Sequence, residues 1–457
     1  MSAYDLVVIG SGAAGATAAT TAVHQGASRV AIVERGPLWG TCVNNGCIPS
    51  KFLLTVADDY YYKNHGHTGL RVDSRFNLYV TMAEKDALIG QLKQKKTERI
   101  IRELGVEILE GSAEFLSPRE IRIGNRDITA DRIIIATGSS PAIPPVPGIA
   151  DVPFMTNVEA LSPERIPESL VVVGGRALGL EFAQLYAHLG TKVTLLQRSS
   201  RILPEEEPEI AAILTGYLRE EGIDIRTGVE IQGVQKTAAG VAVTAITGGT
   251  GQVFSAEQIL LATGRSPNTK GLRLDRAGVK TGPDGAVLVD ATMRTSAPNI
   301  WAAGDVTGEP MLETSARYAG EIAAMNSFLE LKRSFNRSFL PHGIYTTPQV
   351  AGVGLTEAQA RTAGLNPEAR VLSMGAISRS LMGDARGMVK MVVSKADGCV
   401  LGVHVCSLLA TEILPASVLA VSRHLPVHDL ADVYHIFPTT GEAVSICARQ
   451  FRCISPE

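Results

Sequence analysis

The chain has 457 residues, 45% of them hydrophobic, with 45 glycines and a formal net charge of -3. At ~100–200 residues per domain this length predicts three or four domains around an ample core. The even mix of charges excludes an electrostatic footprint for nucleic acid or an anionic membrane. Six cysteines are too few for a disulfide scaffold in so long a chain, and no uncharged apolar run approaches the ~20 residues that span a bilayer.

In chain order, Leu6 to Ile9 reads as a strand that begins almost at once, leaving no room for a leader peptide. Gly10-Ser11-Gly12-Ala13-Ala14-Gly15 and an alanine-rich helix follow, then a strand from Val30 to Val33 ending at Glu34. This is a dinucleotide fingerprint in its required context. Gly10 makes the tight turn, Gly12 admits a pyrophosphate to the backbone beside Ala14, Gly15 lets helix pack on strand, and Glu34 accepts from a ribose hydroxyl.

Gly40-Thr41-Cys42-Val43-Asn44-Asn45-Gly46-Cys47-Ile48-Pro49-Ser50-Lys51 comes next and runs into an apolar, helix-like segment. A thiolate at a helix N-terminus is stabilised by the dipole and by unpaired N–H groups, which favours Cys47. Cys42 and Cys47 lie close enough in sequence to form a small, reducible disulfide. A long helical region extends to about Glu103, with Gln91 to Arg99 as a solvated face. Tyr60-Tyr61-Tyr62 within it are read as packing residues.

Ile133 to Ser139 is a buried strand ending in the small turn Thr137-Gly138, followed by the proline-rich linker Pro141 to Gly148. A second dinucleotide unit then begins with the strand Leu170 to Val173, the loop Gly174-Gly175-Arg176-Ala177-Leu178-Gly179, and a helix opening at Leu180-Glu181. Arg176 stands where the first unit has its middle glycine. The next strand ends in Gln197-Arg198-Ser199-Ser200-Arg201 instead of an acid. An acid would accept from the 2′-hydroxyl of NADH, whereas Arg198 and Arg201 suit the 2′-phosphate of NADPH. Two such units in one chain are a flavoprotein arrangement, with FAD as the second dinucleotide. Ala262-Thr263-Gly264 repeats the earlier small turn, and Ala303-Gly304-Asp305 closes another strand. From about Pro341 the sequence alternates like antiparallel strands joined by helices.

These motifs resemble the flavin-dependent pyridine nucleotide–disulfide oxidoreductases over essentially the whole chain, with the closest likeness to the catalytic core of mercuric reductase and a further one to dihydrolipoamide dehydrogenase. The resemblance implies an α/β fold of two Rossmann-like domains, for FAD and NAD(P)H, plus an α+β C-terminal dimerisation domain. The expected segments are 1–148 and 267–335 for FAD, 149–266 for the nicotinamide cofactor, and 336–457 for the interface of a cytoplasmic homodimer whose active site is shared between subunits. By the same resemblance Gly40, Thr41, Thr137, Gly138, Gly264, Gly304 and Asp305 line the cofactors. Lys51 lies near the flavin ring with Glu181 as its partner. Reducing power passes through Cys47, and Cys42 is the exchange thiol.

The acceptor is argued from a departure. Disulfide reductases of this family carry a histidine directly before a proline, oriented by a glutamate five residues on, because only the thiolate exchanges readily. Here Glu442 and Pro438 are present, but the histidine position is Phe437, and His435 is two residues early. A soft metal ion binds thiolates directly and needs no such base, which favours a metal-ion acceptor over a small-molecule disulfide. Cys447 and Cys453 are candidates to relay the metal to Cys42 and Cys47. An electron-transfer subunit serving a protein partner is the remaining alternative.

Overall fold

The computed structural model describes residues 2–65, 73–308, 310–330 and 332–451. They form two compact units assembled from discontinuous segments, one from residues 1–53, 79–142 and 264–337, the other from 54–78, 143–263 and 338–457.

The first unit is built on a parallel sheet. β1 (Ser2–Ile9) leads through α1 (Ala13–His24) to β2 (Val30–Glu34), and the two strands pair in parallel with Leu6 opposite Val30 and Ile9 opposite Val33. On its other side β1 pairs in parallel with the strand Arg126–Ile135, which in turn takes Ile300–Ala302. The strand Glu107–Glu110 extends the sheet beyond β2, and the antiparallel strands Glu120–Ile123 and Ala113–Ser117 bring the total to seven. Leu6, Val7 and Val8 are fully buried, as expected of strands covered on both faces. Small residues let α1 meet the helix Glu313–Phe328, since a Cβ on Gly320 would come within 2.3 Å of the Ala14 carbonyl oxygen.

The second unit repeats the device. Strands Asp224–Thr227, Lys192–Gln197, Ser169–Val173 and Gln258–Leu261 make a four-stranded parallel sheet in that order. A three-stranded antiparallel meander covers Val229–Thr237, Gly240–Thr247 and Thr250–Ala256. The same unit contains a five-stranded antiparallel sheet, His342–Ile344, Gln349–Gly354, Val400–Ser407, Met388–Ser394 and Pro367–Ser373. The fold is thus α/β with two Rossmann-like units and an α+β C-terminal portion.

The long helical region to Glu103 comprises two helices, Cys47–His65 and Leu78–Thr97, and a π turn at Glu98–Glu103, with residues 73–77 not helical. One expectation needs correction. The C-terminal strand Met388–Ser394 is buried along its whole length, Lys390 included, where alternation would place that lysine in solvent. Among the described residues no helix is long and apolar enough to cross a membrane.

Candidate active site

The site is assembled around two adjoining helices, α2 (Gly40–Asn45) and α3 (Cys47–His65). Trp39 precedes α2 in the left-handed region (φ 78°), and its N–H donates to Ser11 Oγ at 2.8 Å. Asn44 Nδ2 donates to the carbonyls of Leu38 and Gly40, fastening the short helix from within. Gly40 has φ +66°, and a Cβ there would lie 2.7 Å from Gly12 Cα. The cysteine segment and the first glycine loop therefore touch backbone to backbone, which only glycine permits. Gly46 separates the helices, and α3 restarts at Cys47 with Pro49 in its first turn, where a missing N–H costs nothing.

Cys42 and Cys47 are free thiols, both partly buried, and their sulfurs are hydrogen-bonded. That bond holds Cys47 below the usual thiol range and Cys42 above it. Burial opposes the first effect and adds to the second, and the nearby Lys51 ammonium further favours the Cys47 thiolate. Glu313 pushes both upward. Of the pair, ionisation is therefore favoured at Cys47, at the N-terminus of α3.

The glycine loop behaves as its spacing demands. Gly10 has φ +110° and a Cβ there would strike the Ala136 carbonyl oxygen at 2.3 Å, while one on Gly15 would strike Gly10 O at 1.9 Å. α1 has neither a side-chain cap nor an acidic residue in its first turn, so its leading N–H groups suit a pyrophosphate. The helix Ala177–His188 opens the same way. Both cradles fit dinucleotides. Glu34 Oε2 accepts from Ser11 N (2.9 Å) and Ser11 Oγ (2.7 Å), so one carboxylate oxygen organises the loop.

Two residues at this site were not singled out from the sequence. Asn268 latches the Thr137-Gly138 turn: Thr137 Oγ1 donates to its carbonyl at 2.7 Å, and its Nδ2 donates to Thr137 O at 3.0 Å. Arg265 donates to Ser139 Oγ and Ser139 O at 2.6 and 2.7 Å, and Ser139 in turn donates to Asp305 Oδ2 at 2.6 Å. Burial lowers the Arg265 pKa, against support from Asp305 and Cys47. The available signal was Arg265-Ser266-Pro267-Asn268 appended to the second Ala-Thr-Gly turn and not to the first. Gly304, at φ +80°, sets the turn that presents Asp305.

In the second unit Gly174 (φ +117°) and Gly179 reproduce Gly10 and Gly15, and a Cβ on Gly179 would lie 1.8 Å from Gly174 O. Arg176 occupies the N-cap position, where the first unit has Gly12, makes no side-chain cap bond, and pairs with Glu205. Glu181 is buried and accepts from Tyr345 N at 2.9 Å. Arg198 is exposed, whereas Arg201 Nη2 donates to Pro204 O (2.6 Å) and Glu206 O (2.9 Å), so Arg201 braces its own turn.

The C-terminal candidates divide. His435 Nε2 lies 2.6 Å from Ser445 Oγ, while the Glu442 carboxylate accepts from Thr439 N at 3.3 Å. Cys447 is fully buried on the helix Glu442–Arg449, its thiol 3.7 Å from Arg370 O and pushed up to about 12 by burial. A thiol so placed does not suit the expected metal relay. Cys453 lies outside the described residues, and among the described residues no cluster of three or more His, Cys, Asp or Glu side chains could hold a metal ion.

The chain matches known proteins over nearly its whole length. The family profile described as pyridine nucleotide-disulphide oxidoreductase matches residues 4–320, and the dimerisation domain of the same family matches residues 340–447. Mercuric reductases of Staphylococcus aureus and Streptomyces lividans are each 38% identical over 98% of this chain, covering 82% and 96% of their own lengths. A dihydrolipoyl dehydrogenase of Thermus scotoductus is 37% identical over 97% of this chain and 96% of its own. Among solved structures, a Cu(II) complex of the HOCl-induced flavoprotein disulfide reductase RclA from Escherichia coli superposes with a TM-score of 0.88. It is 29% identical and covers 98% of this chain and 100% of that one. The chain belongs to the pyridine nucleotide–disulphide oxidoreductase family.

Proposed function

We propose that the chain is an FAD-dependent, cytoplasmic, homodimeric oxidoreductase that draws two electrons from NADPH and delivers them to a soft metal ion held at Cys42 and Cys47, as its likeness to mercuric reductases suggests. Residues 1–148 and 267–335 would serve FAD, 149–266 the nicotinamide cofactor and 336–457 the dimer interface. When bound, FAD would supply the two-electron chemistry that links the nicotinamide to the sulfur pair. In the net reaction NADPH and M2+ become NADP+, M0 and a proton.

The residues divide the work by their charge. Cys47 offers a thiolate at the start of α3, supported by Lys51. Cys42 surrenders its proton when the metal displaces the S–H···S bond, giving a two-sulfur site for a soft ion. Gly10, Gly12, Ala14, Gly15, Gly40 and Thr41 would line one cofactor, with the Thr137-Gly138 turn and Asp305 completing that side. Gly174, Gly179, Gly264 and Arg198 would line the other. NADPH is favoured because Gln197 puts a neutral amide where an acid would repel the 2′-phosphate, with exposed Arg198 beside it.

The observation that carries the metal reading is Phe437, which is 71% exposed next to a His435 engaged by Ser445 and not by Glu442. No proton-moving pair stands there for an organic thiol, and a metal substrate requires none. Exposed Tyr434 and Ile436 on the same loop are apolar surface of the kind that a second subunit covers. Steady-state turnover with NADPH and Hg(II), set against NADH and dihydrolipoamide, tests the assignment, and strong turnover with the latter alone overturns it. The second reading, a disulfide reductase using His435 as a displaced base, draws on the likeness to dihydrolipoyl dehydrogenase. It requires His435→Ala to abolish disulfide turnover.

A further inference from the structure

The turn after the strand Lys192–Gln197 ends in Glu205-Glu206-Glu207, three consecutive carboxylates beside a loop expected to meet a phosphate. Left uncompensated, they would repel it. Each instead has a different basic partner. Glu205 pairs with Arg176 on the glycine loop. Glu206, buried, lies 2.6 Å from His342 Nε2 and 3.9 Å from His404 Nδ1. Burial would raise its carboxyl, but the facing imidazoles bring it down to about 2. Glu207, 1% exposed, lies 3.0 Å from the buried Lys390 ammonium and accepts from Glu357 N at 2.6 Å.

The turn itself is fixed to the glycine loop. Leu203, in the left-handed region at φ 44°, donates its N–H to Gly175 O at 2.9 Å, and Gly175 N donates to Gln197 Oε1 at 2.9 Å. Arg201 closes it from inside through Pro204 O and Glu206 O. Arg198 is the arginine of the turn left exposed at its start.

We propose that Glu205, Glu206 and Glu207 are positioning residues for the adenosine 2′-phosphate of NADPH. Their three separate anchors hold the turn from Arg198 to Pro204 in register with the glycine loop, so that the Arg198 charge is presented in place and the glutamate charges are neutralised. This rests on the NADPH reading above. Lys390, His342 and His404 contribute at a distance from the cofactor.

Calorimetric titration of NADP+ and NAD+ into the oxidised holoenzyme tests it without turnover. Glu206→Gln, nearly isosteric, is expected to weaken NADP+ about tenfold while NAD+ stays within about twofold. Glu205→Gln, on an exposed pair that folding does not need, is expected to weaken NADP+ about threefold. Equal weakening of both nucleotides would show a merely structural role and overturn the proposal. So would Arg198→Ala losing the NADP+ preference while both glutamate variants keep it, an outcome that leaves the NADPH reading intact. Wild-type protein that binds NAD+ as tightly as NADP+ would refute that reading itself.

Discussion

His188 offers a direct test of how the second half of α3 is held. Its side chain is fully buried, with Nδ1 2.8 Å from Asp58 Oδ1 and Nε2 3.1 Å from Glu221 Oε2, and its ring stacks on Tyr61 at 4.1 Å. Burial disfavours the charged imidazole, but the two carboxylates outweigh it and raise its pKa. Hydrogen bonds to charged groups are worth about 1.5–3 kcal/mol each. Glu221 keeps Tyr62, Arg386 and Gln184 as donors if His188 is lost, so the second bond counts only in part. His188→Gln should therefore cost about 2–4 kcal/mol, or about 4–8 °C at roughly 2 °C per kcal/mol for a unit of this size. Because the folded pKa lies above the unfolded value of about 6.5, the stabilisation is complete below that pH and is lost as pH rises through the folded value. Thermal melts of wild type and His188→Gln between about pH 6 and 9 should converge toward the alkaline end. A gap that stays constant or widens with pH would refute a charged, carboxylate-clamped histidine.

Removing the S–H donor with Cys42→Ala should raise the Cys47 pKa, seen as a shift of the thiolate ultraviolet absorbance to higher pH; an unmoved titration contradicts the proposed hydrogen bond. Gly40→Ala forces a Cβ against Gly12 at φ +66°, at a cost of about 1–3 kcal/mol, and should purify with markedly less flavin per chain. Normal flavin content would mean the two loops do not need their close approach. Cys447→Ala should lower stability by about 1–2 kcal/mol through a small cavity while leaving Hg(II) turnover within about twofold; a collapse of turnover in a folded variant would restore the relay.

What could be read from the chain beforehand follows from how local each constraint is. Gly10, Gly15, Gly174 and Gly179 are dictated by atoms a few residues or one strand away, so their spacing announces them. Cys42 and Cys47 are equally local, and the burial of Cys447 followed from its place on an amphipathic helix. Lys390 was not legible, because its partners Glu207, Glu209 and Glu357 are brought from distant segments. The Asp58–His188–Glu221 contact joins two helices and the C-cap of a third for the same reason. Arg201 reads as a phosphate ligand by type and position; only the folded turn shows its Nη2 donating to the backbone carbonyls of Pro204 and Glu206.

Glu34 and Gln197 occupy matching ends of strands, and each accepts from the second residue of its glycine loop, Ser11 N and Gly175 N, at 2.9 Å. The oxygen that steadies the loop is common to amide and acid, while the formal charge is not. Evolution can therefore exchange one for the other at such a place without disturbing the architecture, and the choice of electron donor becomes free to drift independently of folding.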